Sequence, residues 1–312
     1  MKIVPPVLFL IFNRPEITQK VFNVIRKVKP LRLFVAADGP RKGSSEDIQK
    51  CINARDIIKQ VDWNCKVELL YRDHNLGCKV AVISAINWFF ESVESGIILE
   101  DDCLPSPSFF WFCGELLERY QNSKQIMQIN GNFHLNKVRE FSDSYYFSKL
   151  NGCWGWATWR RSWELFDPHM ECYKQSKESD DIFKYYGNQD ISNWMESYLD
   201  EASMPVCGIW STQWAYSILR NNGLCINPTV NLVNNVGFFN SPTSGIHKSF
   251  EPYSSYRLEN ISKIVHPKKI SYNPLNDELE FNLIIKKTDP RLLPKGFKYF
   301  LQKIIHKLYV GK

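Results

Sequence analysis

Gly96-Ile97-Ile98-Leu99-Glu100-Asp101-Asp102 is a short apolar run that ends on three consecutive carboxylates. A continuous apolar run too short for a helix reads as a strand buried on both faces. The three acids then stand at its carboxyl end. Like charges that close repel, and withdrawing them from water costs more still. An exposed acidic turn avoids that cost. A bound divalent cation cancels it, and all-oxygen ligands suit Mn2+ or Mg2+.

Upstream, the same grammar repeats. Val7 to Phe12 is a short apolar run, followed at helical spacing by Ile17, Val21, Val24, Ile25 and Val28. Leu31 to Ala37 predicts a second buried strand, closing on Asp38-Gly39-Pro40. A helix through Ile48, Cys51, Ile52, Ile57 and Ile58 follows, then a third strand over Val67 to Tyr71. A helix over 78–93 leads into the opening run. Buried strands alternating with helices predict an α/β, Rossmann-like fold: a mostly parallel central sheet flanked by helices, with right-handed crossovers. Ligands of such sheets bind beyond the carboxyl ends of the strands. Asn13, Asp38, Asn75 and Glu100 to Asp102 all fall there, so they are expected to converge on one crevice.

Downstream, the spacing predicts a helix over 107–120, a strand over Ile126 to Ile129 and a turn at Asn130-Gly131-Asn132. Trp156, Trp159 and Trp163 lie at i, i+3 and i+7, the spacing of a helical face. Residues 171–204 are polar and read as a surface helical insertion. A helix around Trp214 to Leu219 and a strand-like Cys225 to Val233 precede a loop-rich tail from about 250.

Composition narrows the function classes. Ten Trp, fourteen Tyr and twenty Phe are a heavy aromatic load, most of it accounted for by large core residues, though flat rings also suit sugar faces. Nine cysteines, none in a C-x-x-C pair, fit a reducing cytoplasm better than a disulfide framework or a zinc ribbon. The run at Val7 is too short for a signal peptide, and no stretch approaches the roughly 20 apolar residues of a membrane span. The expected location is therefore cytoplasmic. The net charge of +6 equals the six Lys and Arg residues in the acid-free segment 291–312. A nucleic-acid binder carries its charge on the folded body, so no nucleic-acid partner is expected.

Five blocks in order give a resemblance. They are Phe12-Asn13-Arg14-Pro15, Ala37-Asp38-Gly39, Asn75-Leu76-Gly77, Ile97 to Asp102 with Pro105 and Phe109-Phe110, and Gly155-Trp156 with Trp159 and Trp163. A weaker sixth runs from Trp214 through Pro228 and Asn231 to Gly237. The chain resembles nucleotide-diphospho-sugar glycosyltransferases of GT-A fold, in particular bacterial relatives of the N-acetylglucosaminyltransferase I family, over roughly residues 5–247. The resemblance implies a GT-A domain over 1–250, with a nucleotide-binding half (1–105) and an acceptor half (106–250), and a C-terminal extension over 251–312. It implies that Asp38 bonds the uracil, that Arg14 meets the nucleotide or its diphosphate, and that Phe12, Asn13, Asn75 and Gly77 line the donor. Asp101 would meet the ribose, Asp102 would ligate the metal and Glu100 would orient the transferred sugar. Trp154 would line the pocket, and His247 would reach the metal or diphosphate.

The sequence departs from the family at the catalytic base. An inverting transferase needs a carboxylate to deprotonate the acceptor hydroxyl, yet Trp210-Ser211-Thr212-Gln213-Trp214 holds no acid. Asp200 or Glu201 moves in, another acid such as Asp190 serves, or activity is lost. A non-catalytic nucleotide-sugar or glycan binder therefore stays open. A sugar-1-phosphate nucleotidyltransferase stands further off, because that class opens with a Gly-rich, Arg-containing loop where this chain has Asn13-Arg14-Pro15. In the tail, Phe297, Phe300, Leu301, Ile304, Ile305 and Leu308 form one stripe, with Lys298, Lys303 and Lys307 off it. That predicts a basic amphipathic helix over 295–310, which docks as an ordinary terminal helix or lies on an anionic membrane surface. The latter suits a peripheral enzyme at the inner face of the cell membrane whose acceptor is a lipid-linked glycan.

Overall fold

The computed structural model describes residues 4–135, 138–176, 179–204, 209–237 and 257–286. Strands β1 (Val7–Ile11), β2 (Arg32–Ala37), β3 (Lys66–Tyr71) and β4 (Ser95–Glu100) alternate with helices α1 (Pro15–Val28), α2 (Ser45–Asp56) and α3 (Cys78–Ser92). The four strands pair in parallel in the order β3-β2-β1-β4. The chain thus steps outward twice from β1 and then returns to its other side. At that reversal, between β1 and β4, the crossovers leave in opposite directions and a crevice opens.

Period-two alternation explains the continuous apolar runs. Val7, Phe9 and Ile11 enter one layer with Val21, Phe22 and Ile25 of α1, while Leu8 and Leu10 enter the other with Ile86 and Phe89 of α3. Each such side chain, fully buried, contributes roughly 1.5–3 kcal/mol. Pro15 begins α1 with its φ already helical, and Lys29 ends it in the left-handed region at φ 53°.

The second half is wound differently. It contains β5 (Cys103–Pro105), α4 (Pro107–Arg119), β6 (Ile126–Asn130), β7 (Tyr145–Ser148), β8 (Trp156–Trp159), α5 (Arg160–Trp163), α6 (Glu171–Ser176), α7 (Ser179–Tyr186), α8 (Gln189–Ala202), α9 (Ser211–Arg220), β9 (Leu224–Pro228), β10 (Val233–Asn235) and α10 (Pro274–Glu280). The sheet continues from β4 as β8-β6-β9-β7, and β10 pairs with β5 in a separate ribbon. Here β8 lies antiparallel between β4 and β6, with Trp156 opposite both Ile98 and Asn130.

That placement corrects the helical reading of the tryptophans. Trp156 to Trp159 form a strand, because both its edges complete the hydrogen bonding of β4 and β6. Strand geometry sends Trp156 into one layer and Trp159 into the other. The helix begins only at Arg160. Residues 171–204 are also more than a surface insertion, since Ile182, Tyr185, Ile191, Met195 and Leu199 close a third apolar cluster with Tyr216 and Leu219 of α9.

The boundary expected at 250 falls outside the described residues, as do His247 and the helix over 295–310. On its far side, residues 257–286 pack into the domain. Ser144 N–H donates to the Val265 carbonyl at 2.8 Å, Tyr272 bridges Phe147, and Asp277, Glu280 and Phe281 are buried. No helix among the described residues is long and apolar enough to cross a membrane.

Candidate functional site

The turns after the four parallel strands meet at the switch point. A cleft of about 270 Å³ there is lined by Phe12 and Arg14 after β1, Asp38 after β2, Arg72, Asn75, Gly77 and Cys78 after β3, and Glu100 and Asp101 at the end of β4. Arg14 reaches across the reversal. Its guanidinium ion-pairs with Asp101 and bonds Asp102 Oδ2 at 3.0 Å. Burial works against that charge, but the two carboxylates outweigh it and hold Arg14 firmly protonated. Asp101 is buried and also accepts from the Phe12 backbone, yet its Oδ2 has no hydrogen-bond partner among the described residues. Burial, together with the charges of Asp102 and Asp101, pushes the Glu100 carboxyl above the usual carboxylate range.

The opposite wall is built by the loop between β3 and α3. Asp38 Oδ1 accepts from the Gly39 and Leu76 amides, both at 2.9 Å, and Oδ2 accepts from Asn75 Nδ2 at 2.9 Å. Asp38 therefore ties two loops together as well as facing the cleft. Gly39 is required by contact, since a Cβ there would overlap the His74 backbone. Gly77 precedes α3 with φ 79°, a conformation that favours glycine. The helix start it opens has no side-chain cap and no acid in its first turn. Its free N–H groups are an anion-ready end, with Arg14 and Arg72 lining the same cleft.

Of the residues singled out from sequence, Phe12, Arg14, Asp38, Asn75, Gly77, Glu100 and Asp101 line this cleft, and Asp102 adjoins it through Arg14. Others stand elsewhere. Asn13 donates to Asp47 Oδ1 at 2.7 Å, in a brace that Arg41 shares. Trp154 lines a neighbouring cavity with Asn132, His134 and Gly152. Neither Asp190, Asp200 nor Glu201 lines cleft or cavity. Asp200 accepts from the Tyr173 hydroxyl at 2.9 Å, Asp190 pairs with Lys286 at 2.9 Å, and Glu201 is exposed. Sequence reasoning missed Arg72 and Cys78. A lone cation directly after a strand, as in Tyr71-Arg72, was the available signal, because that position is a strand's carboxyl end.

Glu100, Asp101 and Asp102 supply only oxygen ligands, which suit Mg2+ or Mn2+. Asp101 Oδ2 has no hydrogen-bond partner among the described residues, and Asp102 Oδ1 receives the weak Cys103 thiol donor at 3.6 Å. Among the described residues no three His, Cys, Asp or Glu side chains converge as a ready-made metal cluster. Two carboxylate oxygens from adjacent residues would suit a cation that keeps most of its shell on water, as Mg2+ commonly does.

The fold and cleft define the Rossmann-like α/β class with a ligand crevice at its switch point. No protein-family model matches the chain, and no curated protein matches it in sequence. Among solved structures it is similar to a mannosyltransferase from Pyrobaculum calidifontis in complex with GDP-Man and Mn2+, at 11% identity and a TM-score of 0.39 over 69% of this chain and 70% of that one. An apo UDP-glucose pyrophosphorylase aligns at 10% identity and a TM-score of 0.37, over 74% of this chain and 93% of that one. HddC from Yersinia pseudotuberculosis aligns at 10% identity and a TM-score of 0.26, over 46% of this chain and 59% of that one, so the chain spans about three fifths of its length. At these scores the fold assignment stands on the sheet order itself.

Proposed function

We propose that the chain is a GT-A glycosyltransferase, related to the N-acetylglucosaminyltransferase I family. It moves a sugar from a nucleotide-diphosphate donor, with UDP as the expected carrier, to a glycan. The observation that carries this reading is the convergence of Arg14, Asp38, Asn75, Gly77 and Glu100 to Asp102 around one cleft at the switch point. The cleft offers what a nucleoside diphosphate needs: an amide-rich rim at Asp38 and Asn75, the uncapped start of α3, and two arginines. Asp101 and Asp102 would hold Mn2+ or Mg2+, which when bound stabilises charge developing on the diphosphate. Arg14, paired with both Asp101 and Asp102, would hold the two side chains in place. Glu100, at the β4 end of the cleft, would orient the transferred sugar.

The acceptor is proposed to be a lipid-linked bacterial surface polysaccharide, reached by the basic helix over 295–310 on an anionic membrane face. Release of UDP from a panel of UDP-sugars, with Mn2+ and with chelator, tests the donor assignment, and a thermal-shift panel runs beside it. Metal-dependent stabilisation and UDP release support it. Stabilisation without any turnover would favour a nucleotide-sugar binder. Pyrophosphate formation from a sugar 1-phosphate and UTP would assign a nucleotidyltransferase instead, and no response to any nucleotide sugar would overturn the donor site. Sedimentation with vesicles containing anionic lipid checks the membrane role.

A further inference from the structure

The cavity beside the donor cleft has a chemistry unlike it. It holds about 170 Å³, roughly six water volumes at about 30 Å³ each, the scale of one sugar ring. Four asparagines (Asn130, Asn132, Asn151, Asn227) and two tryptophans (Trp154, Trp194) line it, together with His134 and Glu280. Amides that both donate and accept, beside flat rings, match the hydroxyls and faces of a carbohydrate.

Its location follows from strand order. Because β8 lies between β4 and β6, the residues that follow Asn130 and those that precede Trp156 leave the sheet at the same end as Glu100. His134 thus follows a strand two places from β4, a lateral step of about 10 Å at ordinary strand spacing. The segment Gly152 to Trp154 runs between, close enough that the Glu100 charge bears on the Cys153 thiol.

Two polar features in the cavity wall point to a ligand. Asn132 is 9% exposed, and among the described residues its buried Oδ1 has no hydrogen-bond partner. It faces Gly152, where a Cβ would collide with it. Beside it, His134 Nδ1 lies 2.9 Å from Glu280 Oε1, with both side chains largely buried. Its Nε2 lies 3.1 Å from Asn132 Nδ2. An amide nitrogen can only donate, so Nε2 is the accepting nitrogen, and Nδ1–H donates to Glu280. A hydroxyl can take over that bond to Nε2. The arrangement is braced from behind: Trp214 donates to Gln128 at 2.5 Å, Asn130 donates to Asn227 at 2.5 Å, and Asn227 donates to the Tyr146 hydroxyl at 3.3 Å. Tyr146 in turn donates to Glu280 Oε2 at 3.5 Å.

We infer that this cavity is the acceptor-sugar subsite and that His134, oriented by Glu280, receives the proton of the acceptor hydroxyl. The inference rests on the glycosyl-transfer reading above. The acceptor oxygen bonds to the anomeric carbon of the donor sugar, and the bond from that carbon to the diphosphate oxygen breaks. Its electron pair leaves with the nucleoside diphosphate. The hydroxyl proton passes to His134 Nε2, and the Glu280 carboxylate stabilises the resulting imidazolium before the proton goes to solvent. Glu280 is a positioning residue in this scheme. The other titratable groups near the dyad are Tyr146, which bonds Glu280, Asp277, whose carboxyl feels the Glu280 charge, and Cys153 across the cavity. No acid from α8 is needed.

The test uses the full chain, Mn2+, a panel of UDP-sugars as donors and octyl glycosides as acceptor probes. His134→Gln is expected to lower kcat by about 100-fold or more while leaving the thermal shift given by the donor unchanged. Glu280→Gln is expected to move the acidic limb of the kcat profile to lower pH, since the imidazolium loses its counter-charge, with donor KM unchanged. Glu280→Asp should restore part of the rate. A His134→Gln enzyme with wild-type turnover, or Glu280→Gln with an unmoved pH profile, would overturn the dyad and leave the donor site standing. Loss of the donor shift along with turnover in His134→Gln would mark a structural role and likewise overturn it. A wild-type chain that neither binds nor consumes any UDP-sugar would overturn both readings at once.

Discussion

The two halves of the sheet end in two kinds of surface. Behind β1 to β4 the groups facing the crevice are ionic: Arg14 and Arg72, with Asp38, Glu100 and Asp101, and Asp102 beside them. Behind β6 to β9 they are amides, indoles and one imidazole–carboxylate pair. A diphosphate demands charge and metal-binding oxygen, whereas a glycan hydroxyl demands partners that can donate or accept. On the proposed reading one sheet would serve both, since only β8 lies between β4 and β6.

The largest effect expected from breaking this contrast is on Arg14. Removing it leaves the buried Asp101 and its neighbour Asp102 facing each other uncompensated, so Arg14→Ala should lose about 3 kcal/mol of stability, measured by urea unfolding. Donor-induced stabilisation should disappear with it, while glycoside binding in the neighbouring cavity is retained. Next comes Asp102→Asn, which keeps size and removes one ionised oxygen ligand. Turnover should fall about 100-fold, read as UDP release at saturating Mn2+, with the unfolding midpoint little changed.

A smaller effect is expected on the acceptor side, at Asp277. Burial pushes its carboxyl up from 3.8 to about 7 in the fold, against the bonds from Ser148 and Lys149. The folded state therefore holds this proton more tightly than the unfolded chain. The stability it lends is complete below about pH 4 and is lost as pH rises toward 7. Asp277→Asn can accept from the Lys149 amide and donate to Ser148, so its stability should not decline over that window. It should exceed wild type at pH 8 by about 1 kcal/mol, as followed by thermal unfolding across pH. The smallest effect is expected at Asn13, whose side chain serves Asp47. Asn13→Ala should cost about 1 kcal/mol and leave donor KM unchanged. A large rise in that KM would return Asn13 to the donor site.

The parallel half was legible because its signals are local. Strands β1, β2 and β4 announce themselves as apolar runs, and Phe12, Arg14, Asp38, Glu100 and Asp101 stand at or just beyond their carboxyl ends. Arg14 and Asp101 are far apart in sequence, yet adjacent strands in a known order bring their turns together. The second half gives no such signal. Trp156 and Trp159 are spaced as well for a helix as for a strand, and only the vacant edges of β4 and β6 decide between them. Glu280 meets His134 across 146 residues of chain, from a segment that reads as loop-rich tail. Nothing in its local pattern (Asp277-Glu278-Leu279-Glu280) distinguishes it from an exposed acidic turn. Asp38 shows a third case, in which the position was readable but its bonds to Leu76 and Asn75 were not.

The stitching of α10 into the body also sets an order of assembly. Domains emerge from the ribosome amino end first, so every side chain of the ionic crevice is synthesised within the first 102 residues. Glu280 follows all of them in the chain. On the proposed reading, a chain clipped before Glu280 would keep the crevice residues and lack the carboxylate that orients His134. Such a fragment would be expected to capture the proposed donor without transferring its sugar.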